Sequence, residues 1–226
     1  MLAKQYQKVK CMCTPRYLQE FRKRLDRYRG SLIRSADAKS IDPHAKEYLN
    51  KLSREGVVER VRWGWYWVPA EAMDIWEFLR TDRNFKVIAA QTAASIWNHD
   101  FVHRDVCILK VKDRSFGRAL KEFAGRRGWP IEVICVRDPS KIRYTDVGGL
   151  LVESMEENVV ECLQNWAFSD AFATVQWNMN RIDLNRVFKE SYWRRISGTG
   201  VRARQALEYG LHRLGGPGGA GYLNRQ

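Results

Sequence analysis

Residues 43–69 read PHAKEYLNKLSREGVVERVRWGWYWVP, and their periodicity decides how the first third of the chain folds. Ala45, Tyr48, Leu49 and Leu52 recur at i, i+3, i+4 and i+7, which places them on one apolar face of a helix. Asp42 is expected to act as N-cap, Pro43 as the first helical residue and Gly56 as the left-handed stop. Two short β-rich runs follow, 57–62 and 65–68, with Trp63-Gly64 between them. A glycine there permits the positive φ that a two-residue hairpin needs. A helix running into a basic, aromatic hairpin predicts the second half of a winged helix-turn-helix.

If the four apolar residues face inward, Glu47, Asn50, Lys51 and Arg54 face outward, flanked by His44 and Lys46. Asn, Lys and Arg carry the donors and acceptors that pair with base edges in the major groove, and Glu47 can accept from a cytosine amine. In the hairpin, a Trp63-Gly64 turn pairs Arg62 with Trp65 and Arg60 with Trp67. That register puts Arg60, Arg62, Trp65 and Trp67 on one face, with Val61 and Tyr66 toward the core. Arginine stacked on tryptophan stabilises a fold by about 0.5–2 kcal/mol without any ligand. The functional alternative lays the tip, Arg62 and Trp63, beside the minor groove. The candidate DNA-binding residues are therefore His44, Lys46, Glu47, Asn50, Lys51, Arg54, Arg60, Arg62 and Trp63.

Charge points to the same class of partner. The 226 residues carry a formal net charge of +13 and a pI near 9.7, a balance that favours a polyanion. Residues 1–70 hold 16 lysines and arginines against 7 acidic residues, so most of the surplus sits with the helix and hairpin. No apolar run reaches the roughly 18–20 residues of a membrane span, and the N-terminus MLAKQYQKVK lacks the apolar core of a signal peptide. The odd set Cys11, Cys13, Cys107, Cys135 and Cys162 has no disulfide spacing, which predicts a reduced, cytoplasmic protein with no membrane partner. Cys11 and Cys13 with His44 make an incomplete metal ligand set, so neither metal nor cofactor is expected.

Taken in order, residues 1–14 read as a basic N-terminal arm. An amphipathic helix over 15–29 follows, with Leu18, Phe21, Leu25 and Tyr28 on one face and Arg16, Arg22, Lys23, Arg27 and Arg29 on the other. Ser35 is expected to cap a short helix over 36–40, completing a DNA-binding domain at 15–70. Residues 71–84 read as a helical linker. The stretch 85–214 reads as a mixed α/β domain. It opens with a buried helix over 87–97 and a strand–helix–strand unit (106–111, helix 116–125, 131–136). A further strand at 150–152 and a helical last third complete it. In that last third Ser154 with Glu157 forms a capping box. Ser169 caps a helix to 180 with Phe172, Val175 and Met179 inward. A helix starts at Asp183 and another spans 201–214, before a flexible tail at 215–226. The fold class is thus α/β (α+β), with an N-terminal winged helix-turn-helix and a small C-terminal sheet.

No catalytic constellation stands out. Residues 99–105 place His99 and His103 four apart beside Asp100 and Asp105, a metal-binding spacing on a helix but set here in an expected loop. The sequence contains no G-x-x-x-x-G-K-[ST] loop and no G-x-S-x-G elbow. Asp113 and Glu132 miss a nuclease-like D…E-x-K pattern, because Ile134 stands at the lysine position. The chain is accordingly read as a DNA-binding protein and not as an enzyme. Two alternatives remain open: a nucleic-acid-processing enzyme that grips substrate with its winged helix, and a non-specific architectural DNA-binding protein.

LSREGVVERVRWGWYWVP (52–69) resembles the winged helix of AbiEi-type antitoxins of type IV toxin–antitoxin, or abortive infection, systems. The shared pattern is a Leu, a basic residue and Gly, then a hydrophobic run into Gly-x-Tyr and a closing Pro. LVESMEENVVECL (151–163) is similar to that family's strand leading into a helix of the C-terminal domain. Just before the wing glycine, where the family carries a basic residue, this chain has Trp63. The resemblance implies a transcriptional autorepressor that binds inverted repeats of double-stranded DNA in its own promoter, as monomer or dimer. It also implies an antitoxin that opposes a nucleotidyltransferase-like toxin without a stable complex.

Overall fold

The computed structural model describes residues 15–99 and 106–187. The N-terminal arm, the 100–105 segment, the 201–214 helix and the tail lie outside the described residues, as do Cys11 and Cys13. The protein is of mixed α/β class, with two small sheets, and divides into two compact units, Met1–Asn84 and Phe85–Gln226.

In the first unit, helix α1 (Pro15–Leu25) runs through a single 3-10 turn (Asp26–Tyr28) into strand β1 (Ser31–Arg34). A second 3-10 turn (Asp37–Ser40) leads to helix α2 (Ala45–Arg54), then to strands β2 (Glu59–Arg62) and β3 (Trp65–Val68) and helix α3 (Ile75–Thr81). The core is the one that periodicity predicts. Ala45, Tyr48, Leu49 and Leu52 of α2 pack with Phe21 and Leu25 of α1, Ile33 of β1 and Tyr66 and Val68 of β3. Leu18 and Tyr28 close its edge.

The start of α2 differs from expectation. The helix begins at Ala45, because Asp42 spends its carboxylate on the His44 amide (2.8 Å) in a tight turn, and Pro43 lies outside the helix. The end is as expected. Gly56 has φ +72°, its N–H donates to the Ser53 carbonyl, and the Val57 N–H donates back to Leu52, which satisfies two otherwise orphaned carbonyls. Ser35 does not cap the following turn, whose N-cap is Ala36. Its N–H donates instead to the Gly64 carbonyl at 2.8 Å, tying that turn to the hairpin tip.

β3 is the central strand of an antiparallel sheet ordered β1-β3-β2. The four-residue β1 was not expected as a strand, and its pairing with β3 changes the hairpin. All four residues of β3 are buried, Trp65 and Trp67 included. The expected exposed face of Arg60, Arg62, Trp65 and Trp67 therefore does not form. The register also shifts between Arg60 and Arg62, so that Arg62 faces Trp65 while Arg60 faces Tyr66 and Glu59 faces Trp67. An extra residue on one strand re-aims the side chains beyond it.

The stretch read as a linker is part of this unit. Helix α3 starts at Ile75 under an Asp74 cap that accepts from the Glu77 amide, and its Phe78 packs on Trp67. Beyond it, Asp82 accepts from the Leu32 N–H (2.7 Å) and the Asn84 amide donates to the Leu32 carbonyl (2.7 Å). Side chains thus complete the hydrogen bonds of the β1 edge.

The second unit is a five-stranded sheet ordered β6-β5-β4-β8-β7. Residues 87–97, expected to be one helix, divide into strand β4 (Lys86–Ile88) and helix α4 (Ala90–Trp97). The break comes at Ala90, whose φ is +49°. β4 pairs antiparallel with β5 (Cys107–Val111) and parallel with β8 (Leu150–Glu153). The strand–helix–strand unit forms as read: β5, helix α5 (Arg114–Arg126) with Phe116, Leu120 and Phe123 buried, then β6 (Ile131–Cys135) parallel to β5. β7 (Tyr144–Val147) adds an antiparallel edge through the Gly148-Gly149 turn.

Helix α6 (Met155–Gln164) is capped by Ser154, which accepts from the Glu157 amide. The expected reciprocal half of the capping box is replaced, because the Ser154 N–H donates to Arg143. Helix α7 (Phe168–Trp177) starts at an Ala167 N-cap without a side-chain bond. It ends before Met179, which is exposed instead of inward, while Phe172 is half-buried. Helix α8 (Leu184–Val187) follows Asp183. No helix among the described residues is long and apolar enough to cross a membrane.

Leu49, fully buried at the centre of the α2 face, is expected to lose about 2–5 kcal/mol on truncation to alanine. Urea unfolding followed by tryptophan fluorescence measures it, and an unchanged midpoint would contradict the assignment of this core.

Candidate nucleic-acid interface

α2 buries one face, so the residues at i, i+4 and i+8 on the opposite side, Lys46, Asn50 and Arg54, form a row along the helix. The row borders a concavity of about 390 Å³. Its other walls are the 3-10 segment (Ser35, Ala36, Lys39) and the hairpin (Arg60, Trp63, Gly64, Tyr66). Four cations, Lys39, Lys46, Arg54 and Arg60, line it. No carboxylate does so among the described residues. Such a one-signed hollow concentrates anions by its field.

The hairpin tip is preorganised. Gly64 adopts φ +78° and makes the tight turn possible. Trp63 stands 80% exposed at the turn, with the Arg60 guanidinium 5.0 Å from its ring centre. The arginine thus stacks on the tip tryptophan. At the floor, the Tyr66 hydroxyl donates to Asn50 Oδ1 at 2.7 Å. Burial pushes the Tyr66 phenol above its ordinary range, and the Arg60 charge offsets this only in part, so the hydroxyl keeps its proton.

Of the nine candidate residues, Lys46, Asn50, Arg54, Arg60 and Trp63 meet in this concavity. His44 and Glu47 lie at the N-terminal end of α2, with His44 Nδ1 4.0 Å from a Glu47 carboxylate oxygen. Lys51 and Arg62 are half-buried and are not among the residues lining the hollow. Sequence reasoning missed Ser35, Lys39 and Tyr66. Lys39 carried a usable signal, a lysine in the short turn just ahead of α2. Tyr66 carried none, because alternation assigned its whole side chain to the core.

A second cluster lies in the other unit. The Lys110 ammonium on β5 contacts the fully buried Glu153 at the end of β8 and lies 3.1 Å from Glu161 of α6. Glu153 also accepts from the Ala90 N–H at 2.9 Å. Oxygens of Glu153, Glu157 and Glu161 lie within 4.8 Å of one another, close enough in principle for one metal ion. Lys110 already supplies the positive charge there, so the set reads as an internal ion cluster. Burial alone pulls the lysine down, but the two carboxylates outweigh it and hold Lys110 above its ordinary value. Burial raises the Glu153 carboxyl against the opposing pull of Lys110. The Cys107 thiol at the start of β5 is pushed up to about 12 by burial, which removes it as a nucleophile near neutral pH.

Removing the ammonium leaves buried carboxylates uncompensated, so Lys110→Met is expected to cost about 3–5 kcal/mol at pH 7 in urea unfolding. A raised lysine stabilises the fold fully below its unfolded value of 10.5 and loses that contribution as pH rises through its folded value. Wild-type stability should therefore fall more steeply than that of Lys110→Met above about pH 10.5. Parallel curves would show that Lys110 carries no such coupling. No protein-family model matches this chain, and no curated protein matches it by sequence comparison.

Proposed function

We propose that the protein is a sequence-specific, double-stranded-DNA-binding transcriptional regulator whose first unit acts as a winged helix-turn-helix. The observation that carries this reading is the concavity between α2 and the hairpin, lined by four cations and no carboxylate among the described residues. The α2 row enters the major groove, and the hairpin tip, with Trp63 exposed and Arg60 stacked on it, lies along the adjacent backbone or minor groove. The order helix, strand, short turn, helix, hairpin supports it. So does the surplus of positive charge in residues 1–70.

The role of antitoxin and autorepressor in a type IV toxin–antitoxin system rests on the resemblance of residues 52–69 and 151–163 to AbiEi-type proteins. In that role the protein acts in the cytoplasm on inverted repeats in its own promoter. It opposes a nucleotidyltransferase-like toxin without holding it in a stable complex.

Footprinting the purified protein on the DNA upstream of its gene, over a salt series, tests the regulator. The expected result is a protected inverted repeat that survives moderate salt. Lys46→Ala, Arg54→Ala and Arg60→Ala should each lower the slope of log K against log salt by about 1. Uniform coating that disappears with salt would reject the regulator in favour of an architectural protein.

A further inference from the structure

Asn50 occupies the middle of the α2 row, half-buried, at the boundary between the hollow and the hairpin. A free asparagine reads adenine by turning both ends of its amide to the base, accepting from N6 and donating to N7. Asn50 does not have that freedom. Its Oδ1 is held by the Tyr66 hydroxyl at 2.7 Å. Tyr66 is itself 2% exposed and sits at the centre of β3, paired with Ile33 on one side and Arg60 on the other. Two strands therefore fix the ring that fixes the amide.

The hydroxyl donates its proton to Oδ1, and the amide stands in the orientation that turns its oxygen to the hairpin. A carboxamide is planar, with oxygen and nitrogen on opposite sides of Cγ. Holding Oδ1 on the hairpin side directs Nδ2, a pure donor, away from the hairpin.

We infer that Tyr66 is a positioning residue for base readout, turning Asn50 into a donor that selects guanine. This inference rests on the reading of the first unit as a duplex-DNA reader. In the major groove guanine offers two adjacent acceptors, N7 and O6, whereas adenine sets its N6 donor beside N7 and cytosine offers only a donor. An amide presenting Nδ2 alone meets an acceptor on either side at guanine and a competing donor at adenine.

The test selects bound sequences from a randomised duplex library with wild-type protein and the Tyr66→Phe, Asn50→Asp and Asn50→Ala variants at one salt concentration. Circular dichroism checks that each variant is folded. Wild type should enrich guanine at one position of each half-site, by roughly tenfold over adenine, and Asn50→Ala should erase the preference there. Tyr66→Phe, which releases the amide, should move that same position toward adenine and leave the salt dependence of binding unchanged. Asn50→Asp keeps an acceptor for Tyr66 but replaces the donor, and should move the position toward cytosine. The Asn50→Asp result stands by itself if Tyr66→Phe does not fold.

A wild-type preference for adenine at the position that Asn50→Ala erases would overturn the inference. So would a guanine preference unmoved in folded Tyr66→Phe, or unmoved in Asn50→Asp. Enrichment of no sequence by wild-type protein would instead remove the duplex-reading function, and this inference with it.

Discussion

Burial of one face of α2 is the constraint on which the first unit depends. Ala45, Tyr48, Leu49 and Leu52 leave water together, and at about 25 cal/mol per Å² of apolar surface that burial is the main force holding the helix against its neighbours. Helical geometry then leaves no choice about the other side. With 3.6 residues per turn, burying those four turns Lys46, Asn50 and Arg54 outward in a row. The charged row follows from the hydrophobic one. The same core takes Tyr66 and Val68 from β3, which brings the hairpin up to the helix and encloses the hollow between them.

The hairpin shows how a sheet can overrule local alternation. A two-stranded ribbon with one wet face would expose Trp65 and Trp67 beside the arginines. Pairing with β1 makes β3 a central strand, and helix α3 lays Phe78 against Trp67, so both faces of β3 are covered. The apolar surface expected on the exposed face of the hairpin therefore belongs to the core. What remains exposed is Trp63, which the turn carries beyond the paired strands, with Arg60 stacked against it.

The second unit buries an ion cluster. Lys110 and Glu153 come from separate strands and Glu161 from α6, while the Ala90 N–H closes the group from the start of α4. The Trp97 indole donates to the Glu153 carbonyl, and Asn158 donates to the Ala90 carbonyl. The result links two strands and two helices through one carboxylate. Such an arrangement adds little net stability over an apolar core, but it penalises any packing that leaves one member unpaired.

The sequence by itself determined the elements whose physics is local. The apolar faces of α1, α2 and α5, the Gly56 stop, the Ser154 cap and the Trp63-Gly64 turn depend on residues within a few positions of one another, so periodicity and capping chemistry reveal them. Lys46, Asn50 and Arg54 follow from that periodicity alone. Only the tertiary structure decided the rest, because each case depends on a partner distant in sequence. β1 became a strand because β3 lay beside it, and β4 separated from α4 because β5 and β8 claimed its hydrogen bonds. Trp65 and Trp67 went inside for the same reason. Asn50 met Tyr66 sixteen positions away, and Lys110 met Glu153 forty-three away. A hydrogen bond across that separation leaves no trace in local pattern, since it exists only once the chain has folded back on itself.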